Sequence, residues 1–493
     1  MSTRAIIHSA TLTLILNQIN RATGEKARLF PCCLSSYQSE RKEKVETALG
    51  NRTQPRDRSR VARFAAGGAR QDPVTVAAPS YTRRMVVSNL MHHLHMDSIA
   101  FAGSDPHTEG GFRSRITPLS RRKTVYDIAV VGLGIAGSST VYQASRRNLK
   151  VIGLEQFGSV IHAMGSSHGK TRIIRQAYFE HPDYVPLVLD AYREWDALEQ
   201  TIGERLLIPT GGVMMGRPET DVVTGSRLAA QQHGLPFEEL SAAEVRERFP
   251  GFRITDDEVA IYEPQAGYLR VEPGLQALIR EAQRHGAEIQ FNQVVEDVQL
   301  QGDHVVLTTP TGTFAARQVI LTVGAWLTRW APALPLEVER QVPMWFRPEE
   351  HHNLDSLPIY IREHPRNGRQ AYGFPYIEGQ GIKAGVHHQG QISPLDQVNR
   401  QVTSQDIEQL METLDFIPSI HADSLQEALV CLYTNTPDSH FVVGRVPQNP
   451  GVIIAGGFSG HGYKFGPTVG SLVTDMALGT QPGPALFHPA RFR

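Results

Sequence analysis

Gly132-Leu133-Gly134-Ile135-Ala136-Gly137 fits the pattern G-x-G-x-x-G, and each glycine in that spacing meets a different steric demand. Gly132 permits a tight turn after a strand, Gly134 lets backbone N–H groups approach a pyrophosphate, and Gly137 lets the following helix pack closely on the strand. A helix opening at this point aims its N-terminus at the phosphates. Glu155 follows, about 20 residues on, where a carboxylate accepts from ribose hydroxyls and repels a 2′-phosphate. Alone the pattern is weak, and a glycine turn without a ligand is its plain alternative. The order strand, glycines, helix, strand, acid favours a dinucleotide site.

Four later segments carry side chains suited to binding anions or supporting electron transfer. Gly165-Ser166-Ser167-His168-Gly169-Lys170-Thr171-Arg172-Ile173-Ile174-Arg175 sets two arginines three apart. On a shared helix face or in a turn they can clamp a carboxylate or balance an anion; a basic surface turn is the competing reading. Tyr372-Gly373-Phe374-Pro375 leads to Gly381-Ile382-Lys383-Ala384-Gly385-Val386-His387-His388, where strand alternation can turn Lys383 into a cavity, although strand lysines are more often solvated. Cys431-Leu432-Tyr433-Thr434 holds the only cysteine beyond Cys32 and Cys33, and buried free cysteine is commonly inert packing. Gly457-Phe458-Ser459-Gly460-His461-Gly462-Tyr463-Lys464-Phe465 allows backbone to approach a planar ligand and adds a charge; phosphate binding would use the same residues.

Taken in order, G-x-G-x-x-G, S-H-G-x-T-R-x-I-R, Y-G-F-P, G-x-K-x-G-x-H, C-x-Y-T and G-F-S-G-H-G-x-K-F resemble the sarcosine oxidase and N-methyl-L-tryptophan oxidase family of flavin-dependent amine oxidases, which includes the pipecolate oxidases. The resemblance runs from about Tyr126 to Arg493. It implies FAD at Gly132, Gly134, Gly137, Glu155 and Gly460, joined covalently to Cys431. It implies Lys383 as the group that activates O2, with Arg172 and His168 near the flavin ring. It implies that Arg175 and Lys464 bind a substrate carboxylate in a cavity lined by Tyr372, His387 and Tyr433. Lys170 departs from the family, whose bacterial members usually carry Asp there. The activity implied is oxidation of an N-methyl amino acid with O2 and water, giving the amino acid, formaldehyde and H2O2. Oxidation of a cyclic imino acid such as L-pipecolate is the alternative, as are a flavin dehydrogenase feeding an electron-transfer partner and a non-catalytic FAD-binding protein.

These residues need a scaffold, and the apolar patterning predicts one. Asp127–Val131 reads as a buried strand, Ser138–Arg147 as a helix and Lys150–Leu154 as a second strand, a βαβ unit. Gly274–His285 has helical period. Glu288–Phe291, Val294–Val298, His304–Thr308, Arg317–Thr322 and Val452–Ala455 read as strands, with a helix from about Thr468. The expected fold is α/β, a Rossmann-like FAD-binding domain interleaved with a substrate domain built on a mixed β-sheet. The FAD domain is expected to use 126–210, 275–335 and 425–493, and the substrate domain 211–274 and 336–424.

Residues 1–125 hold 20 Lys and Arg against 9 Asp and Glu, the remainder 29 against 41. The basic leader lacks sustained periodicity and is expected to be disordered, as a targeting stretch, a functional tail or an extension from a wrong start codon. The overall charge of −1 excludes nucleic acid as a partner suggested by charge. No apolar run is long enough for a membrane span, and no metal site is expected. With three cysteines in 493 residues there is no disulfide framework, which suits a reducing, cytoplasmic setting. The expected partners are a secondary-amine amino acid and O2, and the expected state is a monomer.

Overall fold

The computed structural model describes residues 124–349, 351 and 353–492; the expectation of disorder before Tyr126 lies almost entirely outside the described residues. Val125–Val131 is buried along its C-terminal half, as a strand flanked on both sides must be. It pairs in parallel with Val151–Leu154 and with Gly312–Leu321. Helix Ile135–Ser145 follows the glycine turn, and every one of its residues is buried. Burial on all sides erases the polar stripe that periodicity needs, so the expected start at Ser138 gives way to Ile135.

The first sheet has eight strands in the order Asp297–Gln301, His304–Thr309, Gly312–Leu321, Val125–Val131, Val151–Leu154, Glu288–Gln290, with Asn449–Gly456 pairing Gly312–Leu321 and Val442–Val446. Its central strands run parallel, and its 297–321 portion is an antiparallel meander. The strand expected at Val294–Val298 instead occupies Asp297–Gln301. The chain turns at Asn292, in the left-handed region with φ +57°, and Val294 and Val295 line a cavity. Their apolarity serves that wall and not a ladder. Helices Ile135–Ser145, Val271–Arg284 and Gly466–Leu478 pack together over the core that contains Val130, Val141, Leu278 and Val473.

A second eight-stranded sheet runs Leu425–Ala428, Met344–Phe346, Gly381–His387, Gln370–Ile377, Ile359–Glu363, Gly212–Gly216, Val259–Glu263, Glu238–Ser241. It is mixed, because Ile359–Glu363 pairs in parallel with Gly212–Gly216 while its other partner is antiparallel. Phe252, Tyr360 and Phe416 anchor its own core. Two three-stranded sheets complete the set. One joins Glu337–Gln341 to Cys431–Asn435 and Gln391–Ile392, the other joins Thr171–Ile174 to Gly267–Arg270 and Leu207–Pro209. The fold is therefore α/β with several mixed sheets, and each large sheet is assembled from distant stretches of chain. Leu425–Ala428 pairs into the second sheet, so we propose dividing the two domains after that strand and not before it. Among the described residues no helix is long and apolar enough to cross a membrane.

Candidate active site

A cavity of about 610 Å³ runs from Gly132, Gly134 and Glu155 at one end to Cys431, Tyr433 and Gly460 at the other. Its first end is shaped by missing side chains. Gly132 has φ +84°, and a Cβ there would lie 2.9 Å from the Thr322 carbonyl oxygen. A Cβ on Gly137 would lie 1.9 Å from the Gly132 carbonyl oxygen, closer than any side chain can come. The Thr322 hydroxyl, which the sequence did not single out, donates to that same carbonyl at 2.7 Å. Glu155 is buried at the end of Val151–Leu154 and accepts from the backbone N–H groups of Leu133 (2.7 Å) and Phe157 (3.1 Å). Each of its oxygens accepts one hydrogen bond, with His162 Nε2 3.9 Å from Oε1, so both keep acceptor capacity toward the cavity that Glu155 lines. This cradle fits a dinucleotide with unphosphorylated ribose.

At the other end the Cys431 thiol is buried, 3.8 Å from Arg172 Nη2 and 3.9 Å from the Ser166 carbonyl. Arg172 and Arg175 do not share a helix face or a turn. Thr171–Ile174 is a strand paired with Gly267–Arg270, as the β-branched Thr171, Ile173 and Ile174 favour. Arg172 donates to the Ser166 and Thr171 carbonyls at 2.8 Å each, beside Cys431. Arg175 lies just beyond the strand, where its guanidinium sits between the rings of Tyr178 and Phe179.

His168 is buried, with Nε2 placed 3.2 Å from the Gly165 carbonyl and Nδ1 without a partner among the described residues. Burial, reinforced by the Arg172 charge, pushes its imidazole down to about 3. The ring is therefore neutral, Nε2 carries the proton, and Nδ1 is a free acceptor. Lys383, on Gly381–His387, is fully enclosed and donates to the carbonyls of Gly169 and Thr171 at 2.7 Å each. The rings of Trp345 and Phe374 lie 5.1 and 5.0 Å from its Nζ. Burial and then Arg172 hold its ammonium well below the ordinary lysine range.

Arg175 is already paired: Nη2 donates to Glu180 Oε2 at 2.5 Å and Nη1 to the Ala177 carbonyl at 2.8 Å. Lys464 Nζ donates to the His461 carbonyl at 3.1 Å and to the Tyr178 hydroxyl at 3.4 Å. Tyr178 and His461 Nδ1 are 2.7 Å apart, and His461 Nε2 faces the Ser439 carbonyl at 3.0 Å. Since that carbonyl only accepts, His461 carries its proton on Nε2 and Tyr178 donates to Nδ1. Burial, and secondarily Arg175, pushes Lys464 down to about 7. His387 Nδ1 stands 3.1 Å from the Tyr433 hydroxyl, and the Tyr372 and His387 ring centroids are 6.5 Å apart. Burial lifts the Tyr372 phenol to about 12 and keeps His387 neutral.

The folded chain thus brings together three groups that are far apart in sequence: Arg172, His168, Lys383 and Cys431; Arg175 and Lys464; and Tyr372, His387 and Tyr433. Glu180, Trp345 and Tyr178 were not anticipated. Each acts through a side-chain contact that no local motif encodes.

The model describing FAD dependent oxidoreductases (DAO) matches residues 127–476. The chain belongs to that family. The family member is 41% identical over 379 residues to the monomeric sarcosine oxidase of Streptomyces avermitilis, covering 74% of this chain and 97% of the relative. It is 34% identical over 376 residues to the N-methyl-L-tryptophan oxidase of Yersinia pestis, covering 75% and 100%. In fold it is similar to L-proline dehydrogenase from P. horikoshii, with TM-score 0.64 and 21% identity over 75% and 98% of the two chains. Glycine oxidase from Geobacillus kaustophilus gives TM-score 0.62 and 21% identity over 74% and 98%. One of these is a dehydrogenase and the other an oxidase, so the fold alone does not choose between them. This flavin-dependent oxidoreductase takes FAD as its cofactor.

Proposed function

We propose that this oxidoreductase is an oxidase of N-methyl amino acids of the sarcosine or N-methyl-L-tryptophan type. The overall reaction converts substrate, O2 and water into the free amino acid, formaldehyde and H2O2. The observation that carries this reading is a cluster of basic side chains at the Cys431 end of the dinucleotide cavity: Arg172 lines that end, its charge acts on buried Lys383 and Lys464, and buried Arg175 acts on Lys464. The two oxidases that share most of its length support it. FAD held in that cavity would supply the redox chemistry, a hydride acceptor for the carbon beside the amine and an electron source for O2.

The chain's own residues supply position and charge. Arg175 and Lys464 are the proposed carboxylate clamp, and two cations suit one carboxylate. Arg175 must then share or exchange its bond to Glu180, so Lys464 decides the net charge of the clamp. Tyr372, His387 and Tyr433 are the proposed walls around the substrate. Each is uncharged at neutral pH, which suits a neutral amine. Lys383 is the proposed O2-activating cation, because a fixed positive charge stabilises the anion formed by one-electron transfer. Arg172 and neutral His168 are the proposed flanking groups at the flavin. Gly132, Gly134, Gly137, Glu155 and Gly460 are proposed to hold FAD, and Cys431 to bond it covalently. The protein is proposed to act as a cytoplasmic monomer.

Peroxide release across a panel of N-methyl amino acids and L-pipecolate tests the reading. Turnover with L-pipecolate alone would move the substrate to the cyclic class. Dye reduction without peroxide would make the enzyme a dehydrogenase. Acid precipitation tests the Cys431 bond: flavin should stay with the pellet, and its full release would exclude covalency.

A further inference from the structure

Lys383 makes no direct ion pair among the described residues; its two acceptors are the Gly169 and Thr171 carbonyls. The Gly169 carbonyl belongs to the peptide group whose other end is the Lys170 N–H. That N–H donates to Glu272 Oε1 at 3.0 Å, and the preceding N–H, of Gly169, donates to the same oxygen at 3.0 Å. A carboxylate, one peptide group and an ammonium therefore stand in series. The turn is built to hold them so. Gly169 and Lys170 are consecutive left-handed residues, with φ +89° and +66°, and successive N–H groups in such turns form a concavity for an anion. Glu272 lies in the first turn of Val271–Arg284, and the Val271 N–H donates to the Lys170 carbonyl at 2.8 Å. The helix start and the turn are thus tied by three hydrogen bonds.

We infer that Glu272 and Lys383 form an ion pair bridged by the Gly169–Lys170 peptide, which makes Glu272 a positioning residue that keeps Lys383 charged. An amide with an anion at its N–H and a cation at its carbonyl is polarised by both, and hydrogen bonds in such a chain reinforce one another. Apart from Cys431 and Glu272, the surroundings oppose a charge on Lys383. Arg172 and Lys170 face it as cations, the Lys170 ammonium sharing the Trp345 ring with it. Phe374 and Tyr372 contribute apolar or neutral surface, His168 is neutral, and Cys431 is the thiol beside Arg172. Glu427 pairs with the Lys170 ammonium and offsets that charge, and Glu272 is the carboxylate that acts on Lys383 itself.

The inference rests on the reading of Lys383 as the O2-activating cation, and the experiments separate the two. Glu272→Gln keeps an oxygen that can accept both N–H groups but removes the charge. In the holoenzyme, stopped-flow reoxidation by O2 should fall off at a pH about one unit lower than in wild type, the small end of the effect of a nearby opposite charge. Anaerobic reduction by substrate should change less. A second readout needs no turnover. In wild-type holoenzyme labelled with 15N-lysine, the Lys170 amide resonance should titrate in step with Lys383 Nζ. Both should move to lower pH in Glu272→Gln. An unmoved reoxidation profile in Glu272→Gln, with Lys383→Met slow to reoxidise, would overturn the bridge and leave the oxidase reading intact. Wild-type reoxidation in Lys383→Met would overturn the oxidase reading, and the resonances would still decide the bridge. If Glu272→Gln yields no holoenzyme, the wild-type titration decides, and independent titration of the two lysine signals overturns the proposal.

Discussion

At the Gly132 end of the cavity the fit is made by backbone, whereas around Lys383, Arg175 and Lys464 it is made by buried charge. The glycine end tolerates nothing added: two positions leave no room for a methyl group. The charged end is held by partners brought from elsewhere, namely Glu180 for Arg175, the His461 carbonyl for Lys464, and two carbonyls of one turn for Lys383. Steric demands of the first kind are all-or-none. Electrostatic demands of the second kind are graded. The two ends should therefore fail differently.

The largest effect is expected at Gly137. Gly137→Ala puts a carbon against the Gly132 carbonyl, so the purified protein should carry no flavin, as its visible absorbance would reveal. Normal flavin content in this variant would break the contrast. Next comes Lys383→Met. Reoxidation by O2 should slow by roughly 100-fold or more, equivalent to at least about 2.7 kcal/mol of lost stabilisation, while flavin reduction falls far less. Equal losses in both half-reactions would return Lys383 to a structural role.

Lys464→Met should weaken binding of a carboxylate substrate roughly 10- to 150-fold, the equivalent of about 1.5–3 kcal/mol for a charge-assisted bond. The wild-type pH profile sharpens this. Lys464 is pushed down to about 7, so its charged form is complete below that pH and is lost as pH rises through it. Carboxylate affinity in the free enzyme should decline above about pH 7, and the decline should vanish in Lys464→Met. An esterified substrate bound as tightly as the acid would contradict the clamp. The smallest effect belongs to the half-exposed pair Lys170–Glu427. Lys170→Met should change unfolding free energy by no more than about 1 kcal/mol, as urea denaturation would show.

The same contrast explains what could be read from the residues alone. The Gly132–Gly137 turn and Glu155 are local, and steric rules fix each position within a short span of chain. The strands around them were visible as apolar runs, although the all-buried helix Ile135–Ser145 hid its own start. Around Lys383 only the cations were visible. Its holding turn lies 214 residues earlier, and Glu272 reaches that turn from a third segment. A spacing of three suits a helix face or a turn for the arginine pair, while the β-branched residues between them set a strand. Charge partners depend on which segments meet, and pattern does not report that.

The first sheet joins Val125–Val131 to Gly312–Leu321, and that strand to Asn449–Gly456. A ribosome releases the first of these long before the last, so the early strands wait while most of the molecule is still being made. Such distant pairings close slowly. The cavity has no floor beside Gly460 until nearly the whole chain has emerged, and the Ser166 hydroxyl cannot reach the Leu432 carbonyl, 266 residues away, before then. The flavin cavity is therefore incomplete until Asn449–Gly456 and the glycines that follow it have joined strands laid down far earlier in the chain.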